Sequence, residues 1–384
     1  MSKLNLLMLN YEFPPIGGGA GKAHLCLLKQ FAGNSDLNID VLTSAPKPGF
    51  SRENFSENIT IYKVGVHKKN LHFWRRIEVA EWLFKANSPY RKLLRENNYD
   101  LAHAFFGFPT GWLSWRTAKK LPYIVSLRGS DVPGLHARFK LDYKILGPLF
   151  IKPTWKKAVA LVACSEGLKQ RSLELLSNIS IDVIPNGVDL EQFHPANESY
   201  APPSSDRPLR LLTVGRLSVT KRVEMLIDAA ETLRNDGCNL RLTISGGGAL
   251  EPHFRQLVSD RGLGEIIELT GRIESEKMPQ LYRENDIFIS ASMQEGMSNA
   301  MLEAMASGLP IITTRCEGVD ELIAENGIVV EPADAEQIAK AVKKLADDEN
   351  SYRQMSAAAR KLAGKFSWNS VAEQYLRYYR KIAE

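Results

Sequence analysis

The feature that most constrains this chain is a pattern that opens twice: an apolar strand, a glycine-containing turn, then a helical period. LNLLMLN is followed by PPIGGGAG and AHLCLLKQFAG, and LRLLTVG by RLSVTKR and VEMLIDAAETLRNDG. NIDVLTS, YIVSLRG and ALVACS continue the first series, and NLRLTISG, DIFISAS, PIITT and GIVVEP the second. Near-continuous apolar strands alternating with helices predict α/β folding with parallel sheets covered on both faces. Between the series, HPANESYAPPSSDRPLR gathers Pro, Ser and Asn and reads as a linker. The expected architecture is two facing doubly wound domains with an interdomain cleft. Its bounds are 1–195, a linker at 196–208, 209–365, and a last amphipathic helix at 366–384, capped by Ser367 and packing back toward the first domain.

A length of 384 residues suits two such domains. No apolar run reaches the roughly 18 residues that a membrane span needs, and MSKLNLLMLNYEF lacks the long apolar region and cleavage site of a signal peptide. A cytoplasmic location is the expectation. Cys26, Cys164, Cys238 and Cys316 lie far apart, so buried free thiols are expected rather than a metal or disulfide framework. Charge is uneven. Residues 1–195 hold 26 Lys and Arg against 16 Asp and Glu, and the remainder 23 against 28. The first half should therefore meet something anionic. Nucleic acid explains this poorly, because no basic-aromatic RNA motif or helix-turn-helix signature is present.

In doubly wound sheets, ligands collect at the carboxyl ends of the strands. Gly17, Gly18 and Gly19 lie there. A dinucleotide fingerprint would need Gly or Ala at His24, and a P-loop would need Gly at Ile16 and Ser or Thr at Ala23, so neither signature fits. A ligand loop and a simple tight turn both stay open, here and at Gly246–Gly248. Arg216 and Lys221, five residues apart after LRLLTVG, can serve a diphosphate: Arg forks onto two oxygens and Lys supplies a compact charge. SMQEGMSNAMLEAMASGLP places Glu295 in a loop and Glu303 in the second turn of a helix starting near Ser298 or Asn299. Two flanking carboxylates suggest a hydrolase's acid and base, but they can also grip the vicinal hydroxyls of a bound sugar nucleotide.

Arg216 with Lys221, EGMSNAMLE, LTGRI at 269–273, VIPNGVD at 183–189, PPIGGG and the final FSW together resemble the family 4 glycosyltransferases, whose GT-B fold is two facing Rossmann-like domains. The resemblance spans essentially the whole chain. It implies a retaining, metal-independent transfer of a hexose or derivative, without cofactor, from a UDP- or GDP-linked sugar to a glycan, glycolipid or small-molecule acceptor in cell-surface synthesis. The first domain would take the acceptor and the second the donor.

Carried over by position, Arg216 and Lys221 hold the donor diphosphate, Glu303 the ribose and Glu295 the transferred sugar. Arg216, Lys221 and Glu295 would form the catalytic set. The backbone at Met297, Ser298 and Asn299 would face sugar or phosphates, that around Ile273 the base, and Gly17 and Gly18 the phosphates. Gly19, Arg128 and Asp131 are acceptor or cleft candidates. Many relatives carry His where this chain has Arg128 in VSLRGSDVPG, which puts a histidine's role there in doubt. A structural Arg128–Asp131 pair is the alternative.

HKKNLHFWRRIEVAEWLFKANSPYRKLLRE (67–96) interleaves cations and aromatics. It reads either as a helix lying on an anionic membrane surface or as a domain helix with a basic outer face. Two other functions share the predicted scaffold. A sugar-nucleotide epimerase or hydrolase would need an acid/base set, and an inactive donor-binding subunit would transfer no sugar.

Overall fold

The computed structural model describes residues 3–71, 73–129, 131–132, 147–196 and 207–383. Most of the expected linker at 196–208, and Ser130, Pro133 and Gly134 of VSLRGSDVPG, lie outside the described residues. The chain divides into two compact units, Met1–Asn186 with Trp368–Glu384, and Gly187–Ser367.

In the first unit, eight strands run in the order β3-β4-β2-β1-β5-β6-β7-β8. These are β1 (Leu4–Asn10), β2 (Leu37–Ala45), β3 (Phe50–Ser56), β4 (Ile59–Gly65), β5 (Leu101–Phe105), β6 (Tyr123–Leu127), β7 (Ala160–Ala163) and β8 (Asp182–Val183). The ladder is parallel except at β3, an antiparallel edge strand that departs from the all-parallel expectation. FSRENFS is exposed for most of its length, and charge at a sheet edge discourages pairing with other chains. Leu6, Leu7, Met8 and Leu9 of β1 are all fully buried, as befits a central strand covered on both faces.

Helix α1 (Gly19–Phe31) buries Leu27, Leu28 and Phe31. Phe31 meets Tyr379 of the last helix, Trp368–Ala383, with ring centroids 6.2 Å apart. Helix α2 (Arg76–Glu96) turns Trp82, Ala86, Tyr90 and Leu93 inward. Its Ile77 and Phe84, two turns apart on another face, are 70% and 85% exposed. The aromatic stripe thus divides between the core and the surface.

The second unit has six parallel strands in the order β11-β10-β9-β12-β13-β14. These are β9 (Leu209–Val214), β10 (Leu240–Ser245), β11 (Ile267–Gly271), β12 (Ile287–Ser290), β13 (Ile311–Thr314) and β14 (Gly327–Val330). The core gathers Leu211, Leu242, Ile244, Ile287, Ile289 and Ile312 from the sheet and Leu226, Ile227, Leu233 and Val342 from helices. Of the four cysteines, which form no disulfide, only Cys164 is fully buried; the other three are partly exposed.

Candidate active site

In the second unit, β9 ends at Val214 and its backbone carries on beside the loop after β10. Gly215 N–H donates to the Ser245 carbonyl at 3.0 Å, and Leu217 N–H to the Gly247 carbonyl at 3.1 Å. Arg216, between them, is exposed. Glycines 246 and 248 permit this approach: a Cβ there would stand 1.9 Å from the Gly215 carbonyl oxygen and 2.2 Å from that of Leu217. ISGGGALE is therefore a close-packing turn that fixes the Arg216 loop.

The chain then makes a short turn, Val219–Lys221, and Arg222 adopts φ 45°, ψ 44° before the helix Val223–Asn235. A left-handed arginine is sterically costly, and such strain gathers at functional sites. The turn brings Lys221 back under Gly215, where a Cβ would stand 3.2 Å from Lys221 Cε.

Beyond β12, Met293 N–H donates to the Thr220 carbonyl at 2.8 Å, which joins the Lys221 turn to the Glu295 loop. Lys221 Nζ contacts Glu295 Oε1, and Glu295 N–H donates to Glu317 Oε2 at 3.1 Å. Burial, with Arg216 nearby, pushes the Lys221 ammonium down to about 8, a shift that contact with the Glu295 carboxylate opposes. Burial pushes the neighbouring Cys316 thiol up to about 12, so it stands neutral.

Ser298 caps the helix Asn299–Ala306 by accepting from Met301 N–H at 3.3 Å. A pocket at these strand ends is lined by Arg216, Lys221, Ser245, Ser290, Ser292 and Ser298. Cations, hydroxyls and a helix N-terminus turned to one space suit an anion.

Glu303 is 8% exposed and accepts from Tyr282 Oη at 3.0 Å. The eight-residue spacing thus delivers two carboxylates with separate partners, Lys221 for Glu295 and Tyr282 for Glu303. Met297 is buried, Asn299 half-buried, and Ile273 half-buried in the loop after β11.

In the first unit, Gly17 (φ 97°) donates its N–H to the Leu71 carbonyl at 2.8 Å, and Gly18 N–H reaches Glu12 Oε2 at 3.4 Å. A Cβ on Gly17 would stand 2.7 Å from Glu12 Cβ, so this turn is glycine to admit Glu12. Gly19 opens α1 and is exposed.

Arg128, after β6, does not form the side-chain pair with Asp131 that stood as the alternative to a cleft role. Its guanidinium donates to Asn186 Oδ1 at 2.7 Å and Tyr375 Oη at 3.2 Å, and lies 4.8 Å from the centre of the Phe105 ring. Asp131, 4% exposed, accepts the backbone N–H groups of Arg128 and Gly107 at 2.9 and 2.8 Å. It braces the loops after β5 and β6, where Phe106 is left-handed at φ 76°.

His103 touches Tyr379 Oη and Ser126 Oγ, each at 2.7 Å, and His24 stacks on Phe105 with centroids 4.1 Å apart. Burial, aided by the Arg128 charge, holds His24 at about 3 and His103 well below the usual range, so both imidazoles are neutral packing groups.

Sequence reasoning missed Glu12, Tyr282, Asn186 and Tyr375. Only Asn186 carried a signal, its place in VIPNGVD. Tyr282 and Tyr375 act through contacts between separate elements, and Glu12 through the turn that folds Gly17 and Gly18 back over it.

The chain is similar to known proteins over nearly its whole length. Residues 17–192 match the model of Glycosyltransferase Family 4, and residues 197–362 that of Glycosyl transferases group 1. An uncharacterized glycosyltransferase of Methanocaldococcus jannaschii is 25% identical over 386 residues, 99% of each chain. Among solved structures, sucrose-phosphate synthase from Thermosynechococcus elongatus superposes with a TM-score of 0.78 at 20% identity, over 99% of each chain. Anabaena HepE in complex with UDP-glucose does so at 0.72 and 17%, over 98% of this chain and 100% of that one. The two units, one built on a parallel sheet and the other on a sheet parallel except at β3, have the GT-B fold. The chain belongs to the family 4 glycosyltransferases.

Proposed function

We propose that the protein is a retaining, metal-independent glycosyltransferase that moves a hexose or derivative from a nucleotide-sugar to an acceptor hydroxyl in glycan or glycolipid synthesis. The observation that carries this reading is the Lys221–Glu295 contact beside Arg216 and the Ser298-capped helix. One strand-end pocket holds positive charge for a diphosphate next to a carboxylate for sugar hydroxyls.

Arg216 and Lys221 stabilise the departing nucleoside diphosphate as the sugar's C1–O bond breaks through an oxocarbenium-like state. The acceptor oxygen bonds C1 on the same face, and its proton passes to the leaving phosphate. Glu295 and Glu303 grip sugar and ribose hydroxyls, so neither needs to exchange a proton. The UDP-glucose bound by the structurally similar Anabaena protein supports a nucleotide-sugar donor.

A thermal-shift panel of UDP-, GDP- and ADP-sugars tests the donor. Its correct member, at 100 times its dissociation constant, should add about 2.7 kcal/mol of stability. No shift with any of them would sink the donor assignment. Turnover should also survive EDTA, because Arg216 and Lys221 supply the positive charge.

Helix α2 supports reversible contact with an anionic membrane at the cytoplasmic face. Phe84, Arg91 and Arg95 lie 7, 14 and 18 residues after Ile77, and all four are exposed. Seven, 14 and 18 residues return to nearly one face of a helix, so the apolar pair and the cations can meet one surface. Vesicles rich in phosphatidylserine should bind the protein at low salt and release it at high salt, and I77S/F84S should reduce binding about tenfold. Equal partitioning of both proteins at every salt concentration would remove the membrane from the reading.

A further inference from the structure

Glu303 and Tyr282 come from different elements, the helices Asn299–Ala306 and Met278–Arg283. Tyr282 is wholly buried. Its ring stands edge-on to Phe193, with centroids 5.7 Å apart at 78°, and lies 6.2 Å from Phe288. Aromatic packing on two sides leaves the phenol one position. A glutamate's last torsion, by contrast, is broad and settles only where a partner fixes it. The hydrogen bond has one direction, because an ionised carboxylate can only accept. Burial and the negative charge of Glu303 push the ionisation of Tyr282 well above its usual range, so the phenol stays a donor.

We propose that Tyr282 is a positioning residue for Glu303, its O–H holding the carboxylate in the orientation that meets the vicinal hydroxyls of the donor's ribose. This rests on the donor reading above. A buried glutamate that merely needed a partner would also be satisfied by Tyr282, so the test must separate orientation from general stability. Pyrophosphate makes that separation, because it engages the Arg216–Lys221 pocket and has no ribose.

The experiment uses the purified full chain, titrated calorimetrically with UDP, GDP, ADP and inorganic pyrophosphate. Tyr282→Phe keeps the ring and removes only the donor. It should weaken the nucleoside diphosphate that the wild type binds by about tenfold, the loss expected for a hydrogen bond to a charged group. Pyrophosphate affinity should be unchanged, and its retention certifies that the site is folded. Donor KM should rise by a similar factor, with kcat within about threefold. Glu303→Gln should lose about as much, and the double variant little more, because both changes act on one contact.

Equal loss of both ligands, or loss of neither, overturns the assignment of Tyr282 while leaving the donor reading intact. If none of the three nucleoside diphosphates binds the wild type, the donor reading fails and this assignment fails with it.

Discussion

Replacing Lys221 with alanine is expected to lower kcat/KM for sugar transfer by about 100- to 1,000-fold, the range seen when one preorganised donor to a developing negative charge is removed. The fold should survive. The Lys221 and Glu295 side chains are 21% and 18% exposed, and Lys221 sits at the end of a turn rather than in the core. A circular-dichroism melt alongside single-turnover kinetics would distinguish chemistry from unfolding. Turnover equal to the wild type's would remove Lys221 from the site.

The same lysine gives a pH signature. Burial lowers its ionisation to about 8, so the ammonium is charged below that value and discharges as pH rises through it; the Glu295 contact shifts the loss somewhat higher. The kcat/KM profile should therefore fall on its alkaline side above about 8, a limb that reports the free enzyme. Lys221→Arg keeps its charge throughout this range, so the residual activity of that variant should lose the limb. An unchanged limb in Lys221→Arg would assign the titration to another group.

The strands at which the site is built could be read from the chain because their patterns are local. LNLLMLN coincides with β1, and SNAMLEAMASG gives a helix whose cap is Ser298. The β3–β4 hairpin escaped because FSRENFS is a polar edge strand without an apolar face to mark it. Periodicity also could not decide the direction of α2, which carries one stripe inward through Trp82 and Tyr90 and another outward through Ile77 and Phe84. At the site, Glu295 and Glu303 stood out by spacing and residue type. Lys221 stood out too, but its contact with Glu295 did not, nor did Tyr282 and Glu317, since these groups converge only through the parallel sheet. Arg128 shows the same limit: nearness in sequence suggested Asp131, whereas Asn186 and Tyr375, 58 and 247 residues away, hold its guanidinium.

Glu78→Ala should produce the largest loss of stability, about 3–5 kcal/mol, because it strands a buried cation. The side chains of Glu78 and Lys68 are 1% and 0% exposed. Lys68 Nζ donates to Glu78 Oε2 at 2.7 Å and to the Phe73 carbonyl at 2.6 Å, and lies 3.9 Å from the centre of the Trp74 ring. Burial alone would raise the ionisation of Glu78. Hydrogen bonds from Arg75 N–H, Lys68 Nζ, Lys69 N–H and Arg75 Nε outweigh it and hold the carboxyl at about 2.

A carboxylate depressed in the folded state stabilises above its unfolded value near 4.3 and loses that contribution as pH falls toward 2. Wild-type stability should therefore decline across this window, and Glu78→Ala should lack that part of the decline. The pair also anchors the segment whose Leu71 carbonyl accepts Gly17 N–H, while Trp74 packs against Tyr11 beside the glycine turn. Loss of Glu78 should accordingly loosen the turn as well as the helix, visible as faster amide exchange at Gly17. Replacing both members with apolar residues, as in K68M/E78L, should recover most of the stability, because the cost lies in the unpaired charge rather than in the missing pair. A melting temperature for Glu78→Ala within a degree of the wild type's would mean that Lys68 reaches solvent and that the pair does not hold this corner of the fold.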